Sequence, residues 1–560
     1  MADGSPTAAS LLLDALAAHG VAHFLANAGT DFPPVIEAFA RGPAAGVAWP
    51  RPMVVPHESV AVGMAHGYYL LTGRPQAVMV HVNVGTANCL NNLINAARDN
   101  VPILLLAGRT PVTERGRKGS RSRPIHWAQE MFDQAGMLRE IVKWEYELRY
   151  PEQAADAVRR AVEIALTPPR GPVYLVLPRE ALAGEVPADV DAAPRPVPAA
   201  PRPDPDAVAR LAQWVAAAEF PLVITSAAGR DPAAVPALAR LAEEFGVGVT
   251  AAWPRYTCLP ASHPLHLGYT PGDALREADL IVVLESDVPW FPHLESPRAG
   301  VRVAHVGVDP TFARYPMRSF PSDLSIAGEP RIVLEALAAA LGSRGGEPRL
   351  AARRAAIAGR SKALREPARA RAHATDPITP EWISRCVGEA KADDAIVVNE
   401  YPLRLDHCPF ERPGTYFGLS PAGGLGWGLG AALGAKLAAP ERLVIATLGD
   451  GAYVFANPTA GHWVARAYDL PILTVVFNNS RWAAVRNSTV AMYRDGAAAR
   501  GGGTLLADLA PSPDYAKLVE AHGGYGERVD RAEALPGALA RGIDETRRGR
   551  QALLDVVCNY

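Results

Sequence analysis

The sequence has few cysteines, no excess of charge of either sign and no long apolar run. Its five cysteines lie far apart without a CxxC pair, which predicts reduced thiols rather than a disulfide frame or a zinc site. The 56 Lys and Arg nearly balance the 58 Asp and Glu, so no global basic field exists to hold nucleic acid or an anionic membrane. No stretch approaches the roughly 18 apolar residues of a transmembrane helix, and the start lacks the basic region of a signal peptide. We therefore expect a cytoplasmic protein.

What the chain does have is length and apolar residues. At about 150 residues per domain, 560 residues correspond to three or four domains, and 49% apolar with 20% charged residues suffices for large cores. Two stretches are predicted linkers: 187–205 is rich in Pro, Ala and Asp, and 343–380 is basic and Ala-rich, with a predicted helix near 351–368. They give predicted domains at 1–186, 206–342 and 378–560.

Each of the three blocks alternates short β-branched runs with amphipathic stretches of helical length. Near-continuous apolar runs of this kind are typical of parallel strands buried on both faces. The clearest runs are 77–82, 103–107, 173–177, 222–225, 280–284, 301–306, 395–398, 443–448, 472–477 and 553–557. The pattern predicts an α/β protein with three open parallel-sheet domains wrapped by helices, whose ligands bind beyond the carboxyl ends of the strands.

Two turns in the last block predict a metal and phosphate site. Asp450, between Gly449 and Gly451, follows one predicted strand, and Asn479 follows the next. Their oxygens suit Mg²⁺, which completes its octahedron with phosphate oxygens and water. Glycines beside Asp450 allow backbone N–H groups to approach a phosphate closely. Alone, a Gly-Asp-Gly turn is common, but its pairing with Asn479 favours the functional interpretation.

The glycine-rich segment 423–430 is not a dinucleotide fingerprint, because its spacing does not fit GxGxxG. It could let a ring lie against the backbone, or it could serve tight helix packing.

In the first block, Glu58 follows His57 and opens a predicted helix over 59–71. Ala61 stands where a zinc protease would need its second His, which excludes that class. An acid in this position can simply stabilise the helix dipole. The run 77–82 contains His81 and leads into a predicted small-residue turn over 83–88. A lone His there is commonly a satisfied core residue.

Together these motifs resemble the thiamine-diphosphate (ThDP) enzyme family of acetolactate synthase, benzoylformate decarboxylase, oxalyl-CoA decarboxylase and 2-hydroxyacyl-CoA lyase. The segments that carry the resemblance, which extends over the whole chain, are 27–30, 57–58, 85–88, 99–108, 423–451 and 478–479. It implies ThDP and Mg²⁺ as cofactors. Relatives can hold FAD or an ADP-like group in the middle domain, although no flavin signature is visible here. The family's sites form between subunits, which implies at least a homodimer, with a homotetramer expected.

The resemblance also implies roles for individual residues. Mg²⁺ would be held by Asp450, Asn479 and the carbonyl of Arg481. Leu425 matches the residue that wedges the cofactor into its bent shape. Glu58 matches the glutamate that bonds the pyrimidine ring and promotes loss of the thiazolium C2 proton. Other residues assigned to cofactor binding are Thr30, Asn88, Glu400, Gly423 (through its carbonyl), Gly449, Gly451 and Ala452.

Substrate residues are assigned in the same way. His81 matches an active-site histidine of benzoylformate decarboxylase and is a candidate proton shuttle. Gln129 resembles a substrate-side glutamine of acetolactate synthase, and both are assigned as catalytic. The basic loop 109–123 could be a solvated face or could hold a phosphate through Arg117 and Arg121. Other residues expected to surround the substrate are Trp127, Met492 and Tyr493, the last two in a predicted lid over 482–511.

Three functions follow from the resemblance. The basic loop favours a 2-hydroxyacyl-CoA lyase-like enzyme that cleaves or forms small 2-hydroxyacyl-CoA. The alternative is a 2-oxo acid decarboxylase or carboligase of the benzoylformate decarboxylase or acetolactate synthase type. The remote alternative is a non-catalytic subunit with the ThDP fold, which would have no need to keep Glu58 beside an intact metal motif.

Overall fold

The computed structural model describes residues 6–43, 47–187, 189–502 and 505–559. It contains three sheets, one in each block, and every pairing between their named strands is parallel, which confirms the predicted fold class. Within these ranges, no helix combines the length and apolar character needed to cross a bilayer.

The N-terminal sheet has six strands in the order β2-β1-β3-β4-β6-β5. These strands are β1 (His23–Ala26), β2 (Arg51–Val54), β3 (Ala77–Val80), β4 (Leu104–Arg109), β5 (Glu145–Glu147) and β6 (Val173–Pro178). The helices are α1 (Ala8–Ala18), α2 (Pro33–Arg41), α3 (Glu58–Thr72), α4 (Val82–Arg98), α5 (Ile125–Ala128), α6 (Ala154–Leu166) and α7 (Arg179–Leu182). The strand order reverses between β1 and β3, and this is where open α/β sheets bind ligands.

The middle sheet has five strands in the order β11-β10-β9-β7-β8. Its elements are α8 (Pro205–Ala217), β7 (Pro221–Thr225), α9 (Ala234–Phe245), β8 (Gly248–Ala251), α10 (Gly272–Glu277), β9 (Leu280–Leu284), β10 (Arg302–Gly307), β11 (Leu324–Ala327), α11 (Pro330–Leu341) and α12 (Pro348–Arg371).

The C-terminal sheet has six strands in the order β13-β12-β14-β15-β17-β16. The first elements are α13 (Pro380–Ala390), β12 (Ile396–Glu400), β13 (Tyr416–Gly418), α14 (Trp427–Ala438), β14 (Val444–Gly449), α15 (Asp450–Phe455) and α16 (Pro458–Ala467). The remaining elements are β15 (Leu473–Asn478), α17 (Ala483–Met492), α18 (Ala497–Arg500), α19 (Tyr515–Glu520), β16 (Tyr525–Val529), α20 (Leu535–Arg547) and β17 (Ala552–Val557).

The predicted turn over 83–88 is wrong, because these residues form the first turns of α4. His81 is correspondingly not a strand residue, since β3 ends at Val80 and His81 is the N-cap of α4. The small residues of this segment allow α4 to begin directly after the strand, with Val82 at a φ of +34° at the junction. His81 therefore lies beyond the carboxyl end of β3, in the position where ligands bind.

The basic segment after residue 343 is largely α12, and its arginines bind carbonyl oxygens of the middle domain. The buried Arg353 donates to the carbonyls of Val215, Ala218 and Phe245. These carbonyls lie at or just beyond the C-terminal ends of α8 and α9, where backbone acceptors lack partners inside the helix. These hydrogen bonds attach α12 to the middle domain.

The N- and C-terminal domains meet through a close packing of α3 against α14. A Cβ added at Gly67 would lie 1.9 Å from the carbonyl oxygen of Ala431, and one added at Gly434 would lie 1.9 Å from that of Met64. Glycine is therefore required on both helices for this approach. Within the glycine-rich segment 423–430, Gly430 takes part in this packing, because a Cβ added there would lie 3.0 Å from the carbonyl oxygen of Val60.

Candidate active site

Glu58 is the first residue of α3, and two amides fix its carboxylate. Asn27 donates to Glu58 Oε1 at 2.9 Å, and Asn88 donates to Oε2 at 3.0 Å. The side chain is buried, with 6% of the residue exposed. A Cβ added at Gly85 would lie 3.1 Å from Glu58 Oε1, so this glycine makes room for the carboxylate beside the N-terminal turn of α4. Glu58 is held by two neutral amide donors, which orient its carboxyl group.

His81 forms a close pair with Asp31, which follows the 27–30 motif after β1. The distance from His81 Nδ1 to Asp31 Oδ1 is 2.5 Å. This hydrogen bond is the largest cause that raises the pKa of His81 above its ordinary value; Gln129 and the charges of Asp31 and Glu58 add to it, against the effect of burial. Because Asp31 engages Nδ1, the proton available for transfer is the one on Nε2.

Two glycines make this pair possible. A Cβ added at Gly29 would lie 2.1 Å from His81 Nδ1, and one added at Gly108 would lie 1.7 Å from Asp31 Oδ2. Gly29 belongs to the 27–30 motif and Gly108 lies near the end of β4. Both sequence motifs therefore leave space for functional side chains from elsewhere in the domain.

Replacing Asp31 with Asn is expected to lower the pKa of His81, because the charge and the strongest acceptor are lost. The basic limb of the pH profile for kcat/KM should move to lower pH. Because the pKa of His81 is raised in the folded state, the His81–Asp31 pair contributes its full stability at pH values below the unfolded-state pKa of about 6.5. This contribution is lost as the pH rises through the folded-state pKa. The wild type should therefore exceed D31N in stability most at low pH. Imidazole hydrogen exchange followed by mass spectrometry measures the pKa; an unchanged His81 value in D31N would contradict the assignment.

Gln129 lies beside His81, and the basic loop 109–123 adjoins them. Arg179 links this loop to the motif residue Thr30, because its guanidinium donates to the carbonyls of Thr30, Gly119 and Ser120 at 3.0, 2.6 and 2.8 Å. Thr30 Oγ1 is also 3.5 Å from Nε2 of the buried His126. Burial, followed by the charges of nearby arginines, lowers the pKa of His126. Arg179 therefore attaches the basic loop to the 27–30 motif.

The structure separates the two arginines that were predicted to hold a phosphate. Arg121 forms an ion pair with Glu130, donates to the carbonyl of Pro111 at 2.8 Å and lies 5.3 Å from the ring centroid of Trp127. Arg117 is exposed. Arg121 therefore stabilises the loop and Trp127, whereas Arg117 is accessible to a ligand. Trp127 itself is 47% exposed.

The C-terminal half of the site forms where β14 and β15 end side by side, as predicted. Asp450 begins α15 with only 1% of the residue exposed, and its Oδ2 has no hydrogen-bond partner. Burial raises the pKa of Asp450 to about 6, although hydrogen bonds from the backbone N–H groups of Gly451, Ser480 and Arg481 act to lower it. Asn479 Oδ1 accepts from the Arg481 N–H at 3.1 Å, while its buried Nδ2 has no partner.

These unpaired buried atoms fit a cation together with an anionic group. Leaving buried polar atoms without partners is costly, so a ligand that satisfies them is the physical explanation. Among the residues that the structure describes, no cluster of three or more His, Cys, Asp or Glu side chains exists that could hold a metal. A cation at Asp450 would therefore need carbonyl, amide, phosphate or water oxygens to complete its shell, which is the usual preference of Mg²⁺.

Gly451 and Ala452 lie in the first turn of α15, and both are buried. A Cβ added at Gly451 would lie 2.4 Å from the ring of Trp482. Packing of this ring is thus one reason for glycine here, beside the predicted approach of a phosphate.

The side chain of Glu400, at the end of β12, fixes the end of the loop 423–426 through hydrogen bonds. Glu400 is fully buried, and its two oxygens accept from the N–H groups of Gly426 and Gly428 at 2.7 and 2.6 Å. Burial raises the pKa of Glu400 to about 7 despite these donors. Gly423 has a φ of +67°, and a Cβ there would lie 2.9 Å from the hydroxyl of Tyr401. Glu400 organises the loop, and its direct contact with a cofactor stays a prediction.

Met492 and Tyr493, expected in a lid, lie at the end of α17 with 73% and 60% of each residue exposed. Within one chain they are in solvent, and their contact with substrate stays a prediction. Gly503, the last glycine of this segment, lies outside the described residues. Sequence reasoning gave no individual role to Asn27, although it lies in the 27–30 motif, and missed Asp31; the available signal for Asp31 was an acid directly after that motif.

Three parts of the chain match models of one enzyme family. Residues 6–137 match the thiamine pyrophosphate enzyme N-terminal TPP binding domain, 208–337 the central domain and 403–556 the C-terminal TPP binding domain. With the three parallel sheets and the two turn sets, these matches show that the chain belongs to the ThDP-dependent enzymes.

Individual relatives narrow the kind of enzyme. The chain is 28% identical to benzoylformate decarboxylase of Pseudomonas aeruginosa, over 86% of this chain and 87% of the relative. It is 25% identical to sulfoacetaldehyde acetyltransferase of Alcaligenes xylosoxydans xylosoxydans, over 99% and 93%. The structure of the 4-hydroxybenzoylformate decarboxylase of Rhodococcus jostii RHA1 shares the fold, with a TM-score of 0.81, 22% identity and 99% coverage of both chains. The protein is an enzyme of the decarboxylase, synthase or acetyltransferase type within the ThDP family.

Proposed function

We propose that this protein is a ThDP- and Mg²⁺-dependent 2-oxo acid decarboxylase or carboligase. The observation that carries the proposal is the His81–Asp31 pair beside Glu58. Decarboxylation of R–CO–COO⁻ to R–CHO and CO₂ consumes one proton, which replaces the carboxylate on the carbonyl carbon. A histidine whose pKa is raised by a buried carboxylate is a suitable donor of that proton near neutral pH.

The residues of the C-terminal half fit the cofactors. Asp450, Asn479 and the carbonyl of Arg481 would hold Mg²⁺, and the turn 449–452 would hold the diphosphate. The Gly423 carbonyl and the Leu425 side chain would contact the rings. When bound, ThDP supplies the carbon nucleophile and the electron sink for cleavage of the bond beside a carbonyl.

The N-terminal half supplies orientation and proton transfer. Glu58, whose carboxyl group is oriented by Asn27 and Asn88, would hydrogen-bond the pyrimidine ring and so control where that ring carries a proton. His81 would deliver a proton through Nε2, with Asp31 keeping the imidazole oriented. Gln129, beside His81, would hydrogen-bond the substrate, and Trp127 would limit the size of its side chain.

The relatives support this function better than the CoA-linked one. By its name, benzoylformate decarboxylase acts on a 2-oxo acid, whereas neither relative named above acts, by its name, on a CoA ester. The ion pair of Arg121 with Glu130 also removes one of the two arginines predicted to bind a CoA phosphate. Exposed cations remain in the loop at Arg115, Arg117, Lys118 and Arg123, so an anionic substrate stays compatible with this surface.

A substrate panel tests the proposal. Purified protein with ThDP and Mg²⁺ is incubated separately with aromatic and aliphatic 2-oxo acids, with sulfoacetaldehyde and with 2-hydroxyacyl-CoA esters. CO₂ and the other products are followed by NMR. We expect CO₂ and aldehyde, or a carboligation product, from at least one free 2-oxo acid. E58Q is the negative control. Turnover of CoA esters or sulfoacetaldehyde alone, without CO₂ release from any 2-oxo acid, would overturn the proposal.

We further propose that the active enzyme is at least a homodimer, as the family resemblance implies. All hydrogen bonds of Glu58 in the described chain go to its own domain. Apolar side chains are exposed near both halves of the site, among them Val84, Tyr401 and Phe455. A homotetramer and an FAD or ADP-like ligand in the middle domain stay predictions, which light scattering and a visible spectrum of the purified protein test.

A further inference from the structure

A row of asparagine amides on α4 joins Glu58 to the loop of the C-terminal domain that carries Leu425. Asn88 binds Glu58, as described above. One turn later, Asn91 Nδ2 donates to the carbonyl of Leu425 at 2.7 Å. Another turn later, Asn95 Nδ2 donates to the carbonyl of Gly424 at 2.7 Å, and the Gly424 N–H donates back to Asn95 Oδ1 at 3.0 Å.

These contacts cross between domains and engage backbone groups. Both polar backbone groups of Gly424 and the carbonyl of Leu425 are bound by side chains more than 300 positions away in sequence. A Cβ added at Gly424 would lie 2.9 Å from Asn91 Oδ1 and from Asn95 Nδ2. The glycine therefore allows a closeness of approach that no other residue would permit.

The row is itself fixed by α3. Asn95 Nδ2 also donates to Asn92 Oδ1 at 3.1 Å, and Asn92 Nδ2 donates to the carbonyl and hydroxyl of Ser59 at 2.9 and 2.8 Å. Ser59 is the residue after Glu58. Asn92 and Asn95 are both fully buried. A connected set of hydrogen bonds thus extends from the start of α3, along α4, to the loop 423–426.

We propose that Asn91 and Asn95 are positioning residues for the cofactor, acting through the backbone of Gly424 and Leu425. By fixing these two residues they place the neighbouring Gly423 carbonyl and the Leu425 side chain. The inference rests on the proposed function, in which these two groups contact the cofactor rings. The N-terminal domain would then have two roles. It would present Glu58, and it would set the shape of the loop 423–426 in the C-terminal domain of the same chain.

The competing explanation is that the asparagines only join the two domains. The two explanations differ in what a substitution changes. Loss of a mere domain contact lowers thermal stability but leaves the loop and the cofactor affinity as they are. Loss of positioning leaves the Gly424 N–H without its hydrogen bond and makes the loop 423–426 more mobile. Cofactor affinity then falls, because the loop has to become ordered when the cofactor binds.

The test compares Asn95→Ala and the milder Asn91→Ala with wild type. Thr546→Val is the control: Thr546 is a buried polar residue of α20 whose hydroxyl donates to the carbonyl of Ile543 rather than to the loop. The first measurement is amide hydrogen exchange of the peptide spanning residues 420–427 in the cofactor-free protein. The second is calorimetric ThDP affinity in excess Mg²⁺. We expect N95A to exchange at least tenfold faster at Gly424 and to bind ThDP at least tenfold more weakly, N91A to follow with smaller effects, and T546V to match wild type in both.

Each outcome decides a separate point. Wild-type loop exchange and wild-type ThDP affinity in both variants would overturn the inference, even if their melting temperatures fall. Should N95A not fold, N91A decides by the same two readouts. A wild-type protein that fails to bind ThDP would overturn the proposed function and, with it, the inference, whereas tight wild-type binding that N95A retains would overturn the inference alone.

Discussion

Replacing Glu58 with Gln is expected to slow deuterium exchange at C2 of bound ThDP by about 10²–10⁴-fold, the range that a positioned acid–base group contributes. The amide of Asn27 donates to one carboxylate oxygen of Glu58 and the amide of Asn88 donates to the other. A glutamine has one oxygen and one NH₂ group, so one of these amides must face another donor, and the negative charge is lost. Affinity for ThDP should change less, because the diphosphate is proposed to bind in the other half of the site. NMR of the C2 proton in quenched samples measures the rate.

The matched control is Glu381→Gln. Glu381 also lies in the first turn of a helix, α13, where an acid stabilises the dipole without any part in the site. E381Q should leave the exchange rate unchanged. Exchange at the wild-type rate in E58Q would show that Glu58 is only such a first-turn acid.

Replacing Asp450 with Ala is expected to abolish measurable ThDP binding while the fold is kept. The change removes the only carboxylate proposed to contact Mg²⁺, so the charge of the diphosphate would lose its bridging cation. In the cofactor-free protein at pH 7, however, the substitution removes a buried carboxylate whose pKa is raised to about 6 by burial. A group with a raised acid pKa destabilises the folded state above that pKa, so the melting temperature without cofactor should not fall.

Titration calorimetry with and without Mg²⁺ checks the affinity, and differential scanning calorimetry checks the stability. Asp514→Ala is the control, because Asp514 is an exposed N-cap in the same domain and should lose a little stability but no affinity. Wild-type ThDP affinity in D450A would refute the metal assignment.

Prediction of the fold from the sequence worked best for the central strands of each sheet. Runs such as 77–82 and 443–448 are apolar on both faces because helices cover both sides of a parallel sheet. The strands that the pattern missed are mostly edge strands, for example β2, β5, β13 and β16. Edge strands are short and partly polar, as in Glu145–Glu147, so their sequences resemble loops.

The segment 83–88 shows why a turn and a helix start are hard to separate. Gly85, Thr86 and Asn88 are typical of turns by composition. In the structure Gly85 leaves room for Glu58, Asn88 donates to Glu58, and α4 begins directly after β3. Contact with a side chain 27 or more positions away in the sequence, rather than local conformational preference, explains Gly85 and Asn88.

The sequence by itself determined the three parallel sheets, the placement of Asp450 and Asn479 at adjacent strand ends, and Glu58 at a helix start. These features depend on local patterns, namely runs of buried residues and the turns that end them. Only the tertiary structure decided which side chains meet. Asp31 and His81 are 50 positions apart, and Asn91 and Leu425 are 334 positions apart. Such contacts depend on how strands are ordered in a sheet and how domains pack, and sequence spacing carries no record of either.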